Sequence, residues 1–486
     1  MNAPAPSVHV QPFLIGSDWT TGQGQPFESI NPATGTSNGW IGSASKADVD
    51  RAVQAAKAAQ ARPAWRNMLP HARAAILRRI GDLIEANAEP LARQQMQENG
   101  KLWKECVEQA AGAAAAYRYF AAICETMPSE VAPARGAYLS MVVYEPFGVV
   151  AAITPWNSPL TLESQKVAAA LAAGNAVVLK PSEFTPTTGL TVARLALEAG
   201  LPPGLFNVVT GLGTETGPAL VAHPGVRLIS FTGGTATGKA IAREAAGRMA
   251  AVALELGGKS PHIVFADADL DKAVDGVLHG VFSSSGQSCI AGTRLFVQRS
   301  IYAPFMERLV AATQALRVGP PEDARSQVAP LSSFIHRDKV EAMVNMARED
   351  GGQILAGGSR PADPALAGGA YFLPTIIGGV ANGARICQQE VFGPVLCAMP
   401  FDDEADLVAQ ANDTVFGLAC GVWTQDFPKA WRIARAVEAG TVWINTYKCL
   451  SVSVPFGGFK ESGSGREKGF YGIRTYQEPK TVVVGF

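Results

Sequence analysis

The stretch GVVAAITP at Gly148–Pro155 decides the fold that we predict, because it is a short apolar run stopped by a proline turn. Beyond it, apolar β-prone runs alternate with helical patterns, and glycine-rich turns separate them. The β-prone runs that follow are NAVVLKP, LFNVVTG, VRLISFTGG and AVALELGG. This alternation predicts an α/β protein with a parallel sheet of Rossmann type, in which ligands bind at the carboxyl ends of the strands.

A second α/β region begins after Gly257 and extends to about Phe459. The first region is predicted to comprise residues 1–126 and 148–257, and the second residues 258–459. Helical patterns fill most of residues 45–124, where Ser45 is the expected N-cap, and we interpret these helices as scaffold. Residues 127–147 and 470–486 are β-prone and lie outside both regions.

The composition of the chain excludes several classes of function. The 486 residues carry a net charge of −1, which gives no reason to expect a nucleic-acid partner or an anionic membrane surface. The seven cysteines are odd in number and form no CxxC pair, which argues against a disulfide framework or a structural zinc site. The first residues lack a basic segment and an apolar core, so no signal peptide is expected, and the cytoplasm is the predicted location.

The stretch VFSSSGQSCIAGTR at Val281–Arg294 carries the candidate nucleophile, Cys289. Its glycines and serines disfavour a helix and favour a loop with free backbone N–H groups, which could stabilise an oxyanion next to the thiol. A thiol in such a loop suits covalent acyl chemistry. The alternative is a structural cysteine buried as a small hydrophobic residue, and the loop alone leaves both readings open.

Two further residues suit the same chemistry. Glu255 ends the β-prone run AVALELGG immediately before glycines, where a carboxylate can act as a general base, although a solvated turn residue is the simpler alternative. Asn157 stands between Pro155 and Pro159, which fix its backbone and can aim its amide at an oxyanion. An ordinary proline–asparagine turn is the alternative for this site.

Glycine-rich turns offer places for phosphate groups. GLGTETG at Gly211–Gly217 is one residue longer than the common dinucleotide-binding pattern and is weak evidence alone. FTGGTATG at Phe231–Gly238 follows a strand and opens a helix, where free N–H groups favour phosphate, although an ordinary strand–helix turn has the same composition. In LKPSE, Lys180 and Glu183 can bind ribose hydroxyls or form a surface ion pair.

The ordered set PWN, LKPSE, FTGG, LELGGKSP, GQSCIAGTR, EVFGPV and PFGGFKESGSGRE resembles the NAD(P)-dependent aldehyde dehydrogenase superfamily over nearly the whole chain. The resemblance implies that Cys289 is the nucleophile, Glu255 the general base and Asn157 the oxyanion donor. It also implies a proton-relay pair, Lys166 and Glu467. The residues that it assigns to cofactor binding are Ile153, Trp156, Lys180, Glu183, Gly213, Gly217, Phe231, Gly233, Gly234, Leu256, Glu390 and Phe392.

The same resemblance implies a domain division: an NAD-binding domain (1–126 and 148–257), a catalytic domain (258–459) and an oligomerisation arm (127–147 and 470–486). The chain is therefore expected to form a homodimer or homotetramer. Gly234, Ser284 and Ser158 depart from residues common in the family, and Ser158, which replaces a frequent aromatic residue, predicts a roomier substrate tunnel. The residues expected to line that tunnel are Leu162, Gln165, Ser288, Ile290, Leu450 and Phe456.

The predicted reaction is the NAD-dependent oxidation of an aldehyde to a carboxylic acid, with no metal and with NADP as the less favoured cofactor. Cys289 forms a thiohemiacetal and then a thioester, which water activated by Glu255 hydrolyses. The alternatives are a CoA-acylating enzyme and an inactive cofactor-binding protein. The tunnel predicts a medium-sized apolar or aromatic aldehyde. Lys448 is expected to be solvated at its rim, and the alternative is that it binds the carboxylate of a semialdehyde.

Overall fold

A computed structural model describes residues 9–486. The expectation that no signal peptide is present rests largely on residues 1–8, which lie outside the described residues. The strands of the described chain are β1 (Val10–Gln11), β2 (Phe13–Ile15), β3 (Asp18–Thr20), β4 (Gly24–Ile30), β5 (Ser37–Ser43), β6 (Glu130–Ala132), β7 (Tyr138–Pro146), β8 (Val149–Ile153), β9 (Ala176–Lys180), β10 (Phe206–Val208), β11 (Leu228–Thr232), β12 (Ala251–Glu255), β13 (Pro261–Val264), β14 (Arg294–Gln298), β15 (Gln353–Ala356), β16 (Thr375–Gly378), β17 (Val395–Phe401), β18 (Phe416–Gly417), β19 (Ala419–Trp423), β20 (Thr441–Ile444), β21 (Phe459–Lys460), β22 (Gly463–Ser464) and β23 (Gln477–Gly485).

The helices follow the predicted patterns closely. They are α1 (Lys46–Ala61), α2 (Pro63–Arg66), α3 (Pro70–Ala86), α4 (Ala88–Asn99), α5 (Trp103–Thr126), α6 (Pro159–Ala172), α7 (Thr188–Glu198), α8 (Thr216–Val221), α9 (Thr235–Ala246), α10 (Leu270–Phe282), α11 (Arg299–Gln314), α12 (Phe334–Glu349), α13 (Arg385–Gln388), α14 (Glu404–Asn412), α15 (Phe427–Ala436) and α16 (Gly469–Arg474). Ser45 caps α1 through a reciprocal pair of hydrogen bonds with Asp48, so the predicted N-cap is confirmed.

The first sheet has eight strands in the order β22-β12-β11-β8-β9-β10-β2-β3, and β8 to β12 run parallel within it. Its register aligns Ile153 with Lys180, and Thr232 with Glu255. The carboxyl ends of four neighbouring strands therefore meet at one edge, which is where a parallel sheet binds ligands. The strands β8 and β9 are fully buried because helices cover both faces of a parallel sheet.

The second sheet has seven strands in the order β15-β16-β17-β14-β13-β19-β20 and is parallel except at β15. Its neighbours β14 and β17 pair with Arg294 opposite Cys397. The loops that enter these two strands carry Cys289 and Glu390, so pairing of the strands brings both loops to one edge. Two parallel sheets with surrounding helices confirm the predicted α/β class.

The two β-prone segments pair with each other. The strand β23 runs antiparallel to β7 over nine residue pairs, from Gln477 opposite Pro146 to Gly485 opposite Tyr138, and β6 joins the other edge of β7. Several large apolar side chains of this three-stranded sheet are exposed, among them Val131, Val483 and Val484. Within residues 9–486, no helix is both long and apolar enough to cross a membrane.

Candidate active site

Two cavities lie along the carboxyl edge of the first sheet. The sheet-edge cavity has a volume of about 540 Å³ and extends from Glu183 to Phe231. The thiol cavity has a volume of about 480 Å³ and contains Cys289. Trp156 and Gly233 line both cavities, so they form one continuous cleft between the sheet edge and the thiol.

Hydrogen bonds and tight contacts hold the loop that carries Cys289. Ser284 and Ser285 have left-handed backbones, each with φ of 55°, and Ser285 Oγ donates to Ala329 O at 2.8 Å. At Gly286, a Cβ atom would lie 2.1 Å from Gly393 O, so only glycine fits where this loop crosses the loop before β17. This fixed backbone presents the half-buried Cys289 side chain to the cavity.

The Cys289 thiol is protonated at neutral pH in this environment. Burial raises its pKa to about 12, and the charges of Glu390 and Glu255 add to the effect, while Lys468 and Lys448 oppose it. Because the thiolate is the nucleophilic form, Cys289 needs a base to take its proton before it can attack.

Asn157 links the first sheet to the thiol loop. Its Nδ2 donates to Gln287 O at 3.0 Å, two residues before Cys289, and its side chain lines the thiol cavity. One of the two amide hydrogens is thereby used to orient the group. The second hydrogen remains available for an oxygen in the cavity.

Glu255 is a buried carboxylate at the end of β12, only 5% exposed. Burial raises the pKa of Glu255 well above its usual range, and the neighbouring Glu467 charge raises it further, while Lys166 opposes both. Behind it, Lys166 Nζ bonds to Glu467 Oε1 and donates to Ser230 Oγ at 3.0 Å. A base with a raised pKa, next to a buried ion pair, suits proton transfer.

The sheet-edge cavity brings Lys180 and Glu183 together as predicted. Lys180 Nζ lies 3.7 Å from Glu183 Oε2, and Gly213 N donates to Glu183 Oε1 at 3.1 Å. At the far side, α9 begins after Gly234, and no side chain caps its first turn. Its free N–H groups and the open space at Gly234, where an added Cβ meets nothing within 4 Å, leave room for a phosphate group.

Glu390 and Phe392 border the thiol cavity from the loop before β17. Glu390 Oε1 accepts a hydrogen bond from Gly258 N at 2.9 Å, which joins the two sheets. Phe392 packs edge-on against Trp156 with ring centroids 5.3 Å apart. The closeness of Glu390 also explains Gly257, where a Cβ would lie 2.3 Å from a carboxylate oxygen.

Every residue predicted for the site except Lys166 lies on this cleft. Those on the sheet-edge cavity are Ile153, Trp156, Lys180, Glu183, Gly213, Gly217, Phe231 and Gly233. Those on the thiol cavity are Asn157, Leu162, Gln165, Gly234, Glu255, Leu256, Ser288, Cys289, Ile290, Glu390, Phe392, Leu450, Phe456 and Glu467. Lys166 stands directly behind Glu467. Among the described residues, no group of three or more His, Cys, Asp and Glu could hold a metal ion.

The structure adds residues that sequence reasoning missed and corrects another. Gln109, on a helix interpreted as scaffold, lines the thiol cavity and donates to Ser158 Oγ at 3.0 Å. Lys468 also lines this cavity. The expectation for Lys448 was wrong: it is half-buried and donates to Ser283 Oγ at 2.7 Å. The backbone of Lys448 is left-handed, with a φ of 57°, and its side chain points into the protein.

The cleft at the edge of the parallel sheet is lined by glycines, and it joins a cavity that holds a thiol, a base and an amide donor. This combination is typical of dinucleotide-dependent enzymes with a cysteine nucleophile. The model of the aldehyde dehydrogenase family matches residues 19–482. Betaine aldehyde dehydrogenase 1 of Rhizobium meliloti is 42% identical over 477 residues, which are 97% of this chain and 96% of the relative.

Solved structures agree with this match. A putative aldehyde dehydrogenase from Burkholderia cenocepacia is 42% identical, with a TM-score of 0.95 over 98% of this chain and 97% of that one. Betaine aldehyde dehydrogenase from Staphylococcus aureus, in a complex with NAD+, is 38% identical, with a TM-score of 0.96 over 98% of this chain and 96% of that one. The protein belongs to the aldehyde dehydrogenase family and is an oxidoreductase that acts on aldehydes.

Proposed function

We propose that the protein oxidises an uncharged aldehyde to the carboxylic acid with NAD, through a thioester on Cys289. The observation that carries this proposal is the meeting of Cys289, Glu255 and Asn157 around one cavity that opens into the glycine-lined sheet edge. The resemblance assigns a role to each of these residues, and the NAD+ complexes of similar proteins support the cofactor.

The first half of the reaction forms the bond to carbon. Glu255 takes the thiol proton, and the Cys289 sulfur attacks the aldehyde carbon to give a thiohemiacetal. The free amide hydrogen of Asn157 and the backbone N–H of Cys289 stabilise the oxygen anion. Bound NAD supplies the hydride acceptor, so the thiohemiacetal carbon becomes a thioester.

The second half releases the acid. The proton that Glu255 took from the thiol first leaves through the Lys166–Glu467 pair. Glu255 then accepts a proton from water, whose oxygen attacks the thioester carbon, and the carbon–sulfur bond breaks to release Cys289 as a thiolate, which takes up a proton from solvent. The Lys166–Glu467 pair then passes the proton away from Glu255. The raised pKa of Glu255 suits both steps, because a stronger base accepts the proton more readily.

The residues present fit NAD better than NADP. Glu183 offers a carboxylate that accepts from a ribose 2′-hydroxyl and repels a 2′-phosphate. Its position is held by Gly213 N and Lys180. The free N–H groups at the start of α9 face the same cavity, where they would receive the pyrophosphate.

A CoA-acylating reaction is the competing proposal within the family. Glu255 argues against it, because a water-activating base serves hydrolysis. The predicted tunnel residues give the thiol cavity apolar walls from Leu162, Ile290 and Phe456, which favour an apolar or aromatic acyl group.

Two further proposals concern the assembly of the enzyme and its location in the cell. The pairing of β23 with β7 leaves apolar side chains exposed, which suits an arm that assembles a homodimer or homotetramer. All seven cysteines are free thiols, which suits the reducing cytoplasm.

The test is an aldehyde panel with NADH formation as the readout. Short aliphatic, aromatic and carboxylated aldehydes are each assayed with NAD, with NADP, and with and without CoA, and the product is identified. We expect a free carboxylic acid, no dependence on CoA and a preference for NAD. A CoA thioester as product, or no NADH with any aldehyde, would overturn the proposal.

A further inference from the structure

Lys468 is a cation inside the thiol cavity that the proposed reaction does not use. Its half-buried side chain lines the same cavity as Cys289. Within residues 9–486 its ammonium makes no salt bridge or hydrogen bond, and its nearest ring is Phe456, with 4.9 Å from Nζ to the ring centroid. An ammonium in this cavity without a bonded carboxylate keeps its charge available to a bound molecule.

The backbone at Lys468 is strained and held in place. Its φ of 59° and ψ of 174° fall in a region that is normally restricted to glycine. On one side, Glu467 N and O exchange hydrogen bonds of 2.7 Å with Phe456, and on the other, Gly469 N donates to Val452 O at 2.8 Å. These bonds fix the direction in which the lysine leaves the chain, and such strain concentrates at functional sites.

Lys468 occupies the aromatic surface that a cationic substrate would need. Quaternary ammonium groups are recognised by aromatic faces, and the Phe456 face already holds the lysine ammonium. The other aromatic side chains of the cavity, Trp156, Phe392 and His336, pack against one another at the end of the cleft predicted for the cofactor. The wall around Phe456 thus presents a positive charge to the acyl part of an aldehyde.

The carboxylates of the cavity do not compensate for this charge toward a substrate. Glu467 is bonded to Lys166, and Glu390 is engaged by Gly258 N. Glu255 exchanges protons with the thiol and with water in the proposed reaction. Lys339 is a second cation on the cavity lining, and other polar side chains there, such as Gln109, Gln165 and Ser158, are uncharged.

We propose that Lys468 sets the charge specificity of the enzyme: it excludes aldehydes that carry a quaternary ammonium group, such as betaine aldehyde, and admits neutral aldehydes. This inference rests on the proposed function and narrows its substrate class. The proposed substrate class differs from the substrate in the name of a relative that is 42% identical, because overall sequence identity does not predict the effect of this one lysine.

The turnover test compares betaine aldehyde with 3,3-dimethylbutanal, which has the same shape without the charge. The value of kcat/KM is measured for both in the wild type, in Lys468→Met and in the charge-preserving control Lys468→Arg. We expect Lys468→Met to shift the ratio toward betaine aldehyde by at least about tenfold, mainly through KM. Lys468→Arg should keep the wild-type ratio. An unchanged ratio in Lys468→Met, or a wild type that prefers betaine aldehyde, would overturn the proposal.

A binding test does not depend on turnover. Choline and 3,3-dimethylbutan-1-ol are compared as protectants of wild-type Cys289 against iodoacetamide, with alkylation at that residue followed by peptide mass spectrometry. We expect the neutral alcohol to protect at a concentration at least about tenfold lower than choline, and the difference to shrink in Lys468→Met. Equal protection by the two alcohols in the wild type would overturn the charge specificity, even if no aldehyde were oxidised. Better protection by the neutral alcohol, without turnover of any aldehyde, would count only against the proposed reaction.

Discussion

Breaking the ion pair behind Glu255 gives the most informative perturbation of the site. Lys166 and Glu467 are 1% and 6% exposed, so Lys166→Met leaves a buried carboxylate without its counter-charge. Loss of one partner of a buried pair typically costs about 3–5 kcal/mol of unfolding free energy. The matched control is the surface pair Arg299–Asp402, with side chains 60% and 62% exposed, where Arg299→Met should cost no more than about 1 kcal/mol.

Urea unfolding followed by tryptophan fluorescence measures both changes. The double variant Lys166→Met/Glu467→Gln should be more stable than Lys166→Met alone, because no unpaired charge remains in it. If Lys166→Met costs no more than the surface control, or if the double variant is the least stable of the set, the buried-pair reasoning is refuted.

The two single variants should move the pH dependence of hydrolysis in opposite directions. Glu255 acts as a base only when ionised, so activity appears as pH rises through the pKa of Glu255. Glu467 raises that pKa and Lys166 lowers it. Glu467→Gln should therefore shift the acid limb of kcat to lower pH, and Lys166→Met should shift it to higher pH. Shifts in the same direction would contradict the assigned electrostatics.

Three further outcomes are expected. Glu183→Gln should raise the kcat/KM ratio of NADP to NAD by at least about tenfold, because the repelling carboxylate is lost, and an unchanged ratio would count against its cofactor role. Gly257→Ala should raise the KM for NAD at least about tenfold, because the added Cβ would displace Glu390 from its hydrogen bond with Gly258 N. An unaltered KM would mean that Glu390 does not contribute to NAD binding. Deleting residues 478–486 removes most of the β23 pairing and should dissociate the oligomer in light scattering, and a monomeric full-length chain would contradict the arm assignment.

The position of the cleft could be predicted from the sequence, because the order of the strands and the residues at their ends determine most of its geometry. In a parallel sheet, residues at the ends of adjacent strands must meet, as Ile153 meets Lys180 and Thr232 meets Glu255 at the edge of the first sheet. Cys289 could be placed near them only through the ordered motifs, since a lone cysteine in such a loop is more often a buried structural thiol. The pairing of β14 with β17 supplies the physical reason for its position.

What sequence reasoning missed depends on distant contacts and on backbone strain. Gln109 lies on a helix whose pattern predicts only packing, and it reaches the cavity because α5 lies against α6. The left-handed backbones at Lys448 and Lys468 set the directions of both side chains. Lysine carries no propensity for that conformation, so neither direction has a sequence signal.

The most direct test of the central claim is a single-turnover experiment with Glu255→Gln, NAD and a substrate aldehyde, with Cys289→Ala as the control. In Glu255→Gln the thiol must lose its proton to solvent, so the first NADH should form more slowly than in the wild type, but NADH should still reach about one per subunit before a slower phase, and quenched protein should carry the acyl mass as a thioester on Cys289. Cys289→Ala should give neither this first NADH nor the adduct. Unchanged steady-state turnover in Glu255→Gln, or an adduct on another cysteine, would contradict the account.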